Sequence, residues 1–238
     1  MPVLSFANAK GGAGKTTAAL LLATELAERG NKVCVIDADP QRWITQWANM
    51  PGKPVGISII DQVSPATIGS VISEELEYRD YVIVDLEGAN SLLVSTAIGL
   101  SDMVLIPIQG CAMDAKGGGK ILDLIAQMQR AERRLIRHAV ILTRINAAVT
   151  TRALRAVREH LKANKIDVLK TPIVERAAFR DIFDTGGTLR MLDRKTVSNL
   201  DKALANVSQM TQEIMACVPA AKPRASRSFY QRLWRRAA

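Results

Sequence analysis

A run of glycines framed by lysines, Lys10-Gly11-Gly12-Ala13-Gly14-Lys15-Thr16-Thr17, stands between a short, mostly apolar segment, Val3–Phe6, and a stretch of helical pattern, Thr17–Arg29. In that stretch Ala19, Leu22, Ala23, Leu26 and Ala27 recur at helical spacing before Gly30 supplies the stop. A strand without polar alternation must be covered on both faces, and a strand that feeds a helix through a tight turn belongs to a parallel sheet. The pattern repeats. Strands are expected at Val33–Ile36, Ile57–Ile60, Tyr81–Val84, Met103–Ile106 and Ala139–Leu142, and helices at Gly119–Arg133, Thr151–Ala163 and Thr196–Cys217. The expected fold class is α/β, a mainly parallel twisted sheet flanked by helices on both faces.

With 48% hydrophobic and 23% charged residues, the 238-residue chain can bury a full core and does not have the composition of a disordered segment. No stretch approaches the roughly 18 apolar residues of a membrane span, and Met1–Lys10 lacks a basic region followed by a long apolar run, so neither insertion nor export is expected. Cys34, Cys111 and Cys217 are odd in number and widely spaced, which suits reduced cytoplasmic thiols rather than a disulfide framework or a CxxC metal site. His138 and His160 have no ligand partner at metal spacing. The net charge of +9 is uneven: the last twenty residues hold Lys222, Arg224, Arg227, Arg232, Arg235 and Arg236 with no acid, together with Phe229, Tyr230 and Trp234. Two parts are therefore expected, a folded domain over 1–218 and a basic, aromatic-containing tail over 219–238. A helical Ser228–Arg236 would suit an anionic surface, whether nucleic acid, acidic protein or, less favoured, membrane; the other reading of the tail is a disordered, soluble extension.

Polar residues collect where the strands end. The first strand runs into the glycine loop, the second into Asp37-Ala38-Asp39-Pro40-Gln41, the fourth into Asp85 and the sixth into Thr143-Arg144. Open α/β sheets bind ligands at the carboxyl ends of their strands. A loop entering a helix N-terminus offers unpaired N–H groups and the positive end of a dipole, which suits phosphate. Here Gly11, Gly12, Ala13 and Gly14 would close around the anion, Lys15 would reach the β and γ phosphates, Thr16 would place its hydroxyl on Mg²⁺, and Thr17 would follow on the helix. The strict GxxxxGK[ST] pattern fails because Ala9 holds its first glycine position; KGGxGKTT, with the additional Lys10, is what matches. Ala115-Lys116-Gly117-Gly118-Gly119-Lys120 has no Ser or Thr after its lysine and reads as a flexible helix entry with Asp114 near the N-cap.

On these motifs, in this order, residues Met1 to Cys217 resemble the ParA/MinD class of deviant Walker A P-loop NTPases, most closely the small ParF-like partition ATPases. Further support comes from Val35–Gln41 with Trp47 after it, from Tyr81–Asp85, from Ser101–Pro107, and from Leu142–Arg144 and Thr171–Phe179, which look like the family's base-binding region. The resemblance implies a homodimer sandwiching two ATP molecules, in which Lys10 of one subunit reaches the phosphates of the other. It gives Asp39 the attacking water and gives Asp37 and Asp85, with Thr16, the Mg²⁺ ion. It also implies base contacts from Thr143, Arg144, Pro172, Ile173 and Val174. Non-specific DNA binding through basic residues of the C-terminal third is implied as well, the candidates being Arg152, Arg155, Arg176, Arg180, Arg190, Arg194 and Lys195. The function implied is a cytoplasmic, nucleoid-associated ATPase, weak alone and stimulated by a cargo-bound activator, that segregates or positions a plasmid, chromosome or protein cluster. Two alternatives are a MinD-like regulator held on a membrane by the tail and a metabolic or redox P-loop enzyme; the latter needs cluster cysteines, and Cys111 has no second cysteine nearby. The sequence departs from many relatives at Leu86-Glu87-Gly88-Ala89, where Glu87 either tunes Mg²⁺ and hydrolysis or faces solvent.

Overall fold

The computed structural model describes residues 1–88, 91–110, 112–146 and 149–218. Six parallel strands, β1 (Val3–Phe6), β2 (Val33–Ala38), β3 (Ile57–Ile60), β4 (Tyr81–Leu86), β5 (Met103–Gln109) and β6 (His138–Thr143), form one sheet in the order β3-β2-β4-β1-β5-β6. Alternate residues of each strand enter two separate cores. Leu4, Phe6, Val33, Val35, Ile83, Leu105 and Ile141 face one, while Val3, Cys34, Ile36, Val82, Val84, Val104 and Val140 face the other. This period of two, with both faces apolar, is what a parallel sheet buried between helices demands.

The first core is closed by α1 (Lys15–Glu28), α2 (Trp43–Ala48), α7 (Ala178–Thr185) and α8 (Leu200–Cys217). The second is closed by α3 (Ile68–Glu75), α4 (Leu92–Leu100), α5 (Ala112–Glu132) and α6 (Arg152–Ala163). Trp47 anchors α2 in the first core, with its indole N–H donating to the Gly187 carbonyl at 2.9 Å.

All six expected strands are present. β2, β4 and β5 run two or three residues further than expected because the ladder continues through their polar ends, pairing Asp37 with Asp85 and Gln109 with Thr143. Four helices were not anticipated: α2, α3 and α7 are short, and α4 is too uniformly apolar to show a stripe. The last helix starts at Leu200 rather than Thr196, since Asp193 accepts from the Lys195 N–H and Asn199 takes a left-handed φ of 56° at the N-cap. α5 corrects the reading of the second glycine run: helix begins at Ala112, not Gly119, and Gly117, Gly118 and Gly119 lie within it. Asp114, Ala115, Cys111, Ala89 and the tail lie outside the residues whose side chains are described. Among the described residues, no helix is long and apolar enough to cross a membrane.

Candidate nucleotide site

β1 is the pivot of the sheet, with β4 on one side and β5 on the other, and the glycine loop leaves its carboxyl end. Gly12 and Gly14 take φ values of 76° and 94°, a left-handed backbone that a side chain would strain, and α1 begins at Lys15. The loop is braced from three directions. Asn8, fully buried, donates to the Pro107 carbonyl at 2.6 Å and accepts from the Lys10 N–H at 2.8 Å. Gln109 donates to the Gly12 carbonyl at 2.6 Å, and the Thr143 hydroxyl donates to the Ala13 carbonyl at 2.7 Å. The last two bonds pin the Gly12 and Ala13 carbonyls, so this stretch of the loop is fixed before any anion arrives. Asn8 and Gln109 were missed from the sequence; the available signal was a polar residue immediately past a buried strand.

α5 closes the other side of the loop. A Cβ on Gly117 would stand 2.4 Å from Asn8 Oδ1 and 2.8 Å from the Lys10 Cβ, and one on Gly118 would stand 2.4 Å from the Ile108 Cδ1. Glycine in a helix costs about 1 kcal/mol relative to alanine, so close approach to the loop is what these two residues supply. Gly117→Ala is expected to preserve the fold while displacing Asn8 and Lys10. Nucleotide affinity measured by calorimetry should fall at least tenfold, with far-ultraviolet circular dichroism unchanged.

Lys15 is buried at 4% exposure, its Nζ 3.5 Å from the Lys10 carbonyl. Beside it the register of β2 and β4 sets Asp37 against Asp85. Asp37 Oδ2 accepts from the Thr45 N–H and hydroxyl, both at 2.8 Å, whereas its Oδ1 is buried with no partner. Asp85 is completely buried and neither oxygen has a hydrogen-bond partner. Burial pushes the Asp85 carboxyl up to about 7; the neighbouring Thr16 hydroxyl and Lys15 charge oppose this, and Asp37 and Asp39 reinforce it. Burial raises Asp37 too, with the Thr45 bonds opposing. Three unpartnered carboxylate oxygens converging beside a buried lysine and a threonine form a hard oxygen donor set, which fits Mg²⁺. Asp39 is half-buried, and its Oδ1 accepts from the Gln41 N–H at 2.9 Å. Glu87 is also half-buried, and a Cβ on Gly88 would come within 3.2 Å of the Gly11 nitrogen, so this segment lies on the loop itself.

A cavity that Gly14 and Thr17 help to line is walled by Thr143, Arg144, Ile173 and Val174, and the lining includes Arg176, Phe179 and Arg180. Pro172 is not among its lining residues; its carbonyl turns to α8. The basic candidates do not form one patch. Arg152 and Arg155 are exposed on α6, against the second core, whereas Arg180 lies on α7, against the first. Arg180 pairs with Glu175 at 3.3 Å, Arg194 with Asp201 at 3.1 Å, and Arg190 with Glu25 at 3.0 Å and Glu28 at 3.7 Å. Arg176 keeps a buried Nε without a partner, and Lys195 is exposed.

The sequence pattern of the family described as VirC1 protein matches residues 1–219. The chain belongs to that family. Among its relatives, protein ParA of Rhizobium radiobacter is 38% identical over 214 residues, covering 90% of this VirC1-family chain and 96% of the relative. The maintenance of carboxysome distribution protein A of Halothiobacillus neapolitanus is 24% identical, covering 89% and 95%. Solved structures of similar fold include apo McdA of Cyanothece, with a TM-score of 0.72 at 18% identity over 92% of this chain and 100% of that one. The cell division protein MinD of Aquifex aeolicus has a TM-score of 0.71 at 19% identity over 94% and 100%. The sheet, the loop and the ParA relationship place this VirC1-family protein in the ParA/MinD class of P-loop ATPases.

Proposed function

We propose that this VirC1-family protein hydrolyses ATP as an ATP-bridged homodimer, holds DNA without sequence preference in the cytoplasm, and positions or segregates a cargo whose bound partner stimulates hydrolysis. The observation that carries the reading is the buried Lys15 beside two adjacent strand-end carboxylates with unpartnered oxygens, all at the mouth of a preformed glycine loop. Relatives named ParA and carboxysome distribution protein A, and a solved McdA–ATP complex, agree with it.

In this reading the N–H groups of Gly11 to Lys15 and the Lys15 ammonium bind the β and γ phosphates, and the loop geometry excludes the wrong register. Asp37, Asp85 and Thr16 would hold Mg²⁺, which when bound neutralises charge developing on the phosphates. Asp39 orients the attacking water, and Lys10 stabilises the γ-phosphate of the partner subunit. The base rests against Ile173, Val174 and Arg144. Asp39→Ala should therefore retain ATP binding and lose at least a hundredfold in turnover, accumulating an ATP dimer. Light scattering with ATP present checks this, and a monomer contradicts the role.

Sedimentation of the purified protein against plasmid DNA and against anionic liposomes, with and without ATP, tests the whole reading. DNA retention is expected to require ATP and to fall with salt, at a log–log slope of about 0.9 per phosphate contact. Retention insensitive to both overturns DNA tethering; ATP-dependent retention on liposomes with none on DNA replaces it with the membrane reading.

A further inference from the structure

The wall of the base cavity is a segment with an unusual support. Residues 167–175 run beside the free edge of β6 in a broken ladder: the Leu169 N–H donates to Val140, the Ile173 N–H to Leu142, and the Ile145 N–H to Ile173. The backbone of Ile173 is thus held through its N–H on β6 and through its carbonyl on Ile145, just past the end of that strand. Its neighbours point the other way, toward α8. There the carboxamide of Asn206 accepts from the Val174 N–H at 3.0 Å and donates to the Pro172 carbonyl at 2.8 Å. One and two turns further along α8, Met210 and Ile214 fill the core, while Glu213 accepts from the Lys170 and Thr171 N–H groups at 2.6 and 2.8 Å. Those bonds and Lys170 hold the Glu213 carboxyl below the usual carboxylate range against the opposing effect of burial.

Asn206 therefore offers the segment one donor and one acceptor, as the next strand's peptide would. It sits at 9% exposure and lines no part of the cavity. We propose that Asn206, aided by Glu213, is a positioning residue for base recognition: α8 acts in place of a further strand beyond this segment and fixes Ile173 and Val174 against the nucleotide base without touching it. The proposal deepens the nucleotide reading of this site and rests on it.

The physical consequence separates two halves of one ligand. The phosphates are bound by the loop, whose bracing side chains Asn8, Gln109 and Thr143 lie outside α8. The base is bound by a wall that α8 holds. Loss of the Asn206 bonds leaves the Pro172 carbonyl and the Val174 N–H half-buried and unpaired, so the wall shifts to regain partners.

The test is calorimetric titration of the full chain with ADP and with inorganic pyrophosphate, both with Mg²⁺. The unsubstituted chain should bind ADP more tightly than pyrophosphate. Asn206→Leu should lower ADP affinity at least tenfold while pyrophosphate affinity stays within twofold, a split that a general loss of structure does not produce. Asn206→Asp keeps the acceptor for Val174 and sets a negative oxygen against the Pro172 carbonyl; it should lower ADP at least fivefold more than pyrophosphate, and serves if the leucine variant does not fold. A smaller change in ADP affinity, or an equal fall for both ligands, overturns the inference alone. An unsubstituted chain that binds pyrophosphate as tightly as ADP overturns the base-cavity reading and the inference with it.

Discussion

Lys15→Ala is expected to abolish nucleotide binding at millimolar ATP. The side chain is almost wholly buried, and in the proposed site its ammonium is the cation that meets the β and γ phosphates, in a setting where water screens it little. Truncating one member of a buried charge pair costs about 2–5 kcal/mol, which is roughly 30-fold to several thousandfold in affinity. The loss should appear for ATP, ADP and pyrophosphate alike, since all three share the phosphates. Calorimetry that returns unchanged ATP affinity removes the phosphate-loop assignment, and with it the proposed function.

The second large effect is a pH dependence of stability without ligand. The Asp85 carboxyl titrates at about 7 in the folded chain, against about 3.9 when unfolded. Between those values the native state keeps a proton that the unfolded state has released, so stability falls as pH rises through this window and the full penalty, about 4 kcal/mol, is present above pH 7. Asp37, also raised, acts in the same direction. From pH 5 to pH 8 the nucleotide-free protein should lose about 2–3 kcal/mol, which lowers Tm by roughly 5–10 °C in a domain of this size. Asp85→Asn should flatten this dependence and raise Tm at pH 8 while removing ATPase activity. Thermal melts at the two pH values decide it: equal Tm for the unsubstituted chain shows that burial does not raise the Asp85 carboxyl in the folded protein.

Local chemistry was legible in the sequence where a local constraint created it. The glycine loop, Lys15 and the strand-end aspartates could be read because a buried strand, a tight turn and a helix N-terminus are neighbours in the chain. The supports of that loop could not, because their partners are distant: Gln109 reaches back 97 residues to Gly12 and Thr143 reaches 130 to Ala13. The Gly117–Gly119 run misled for a related reason. Helix propensity argues against three glycines in a helix, and only the approach of Asn8, Lys10 and Ile108 from other parts of the chain makes two of them necessary there. The DNA-contact candidates, named from the resemblance in separate stretches of the chain, gave no sign that α6 and α7 cover opposite faces of the sheet, a separation that depends on topology rather than on charge.

The packing of α8 on α1 has a consequence for the chain while it is being made. The loop residues leave the ribosome well before α8, and part of the cover of α1 and of the support of the base wall comes from residues beyond 200. At about 5–20 residues per second the nascent chain carries its phosphate-binding segment for roughly 10–40 s before α8 follows it out. Throughout that interval α1 lacks the part of its cover that α8 supplies, and the proposed nucleotide seat is incomplete. A polypeptide whose synthesis stops before Asn206 is therefore expected to lack the complete base wall, and full competence for nucleotide in the proposed site waits for α8.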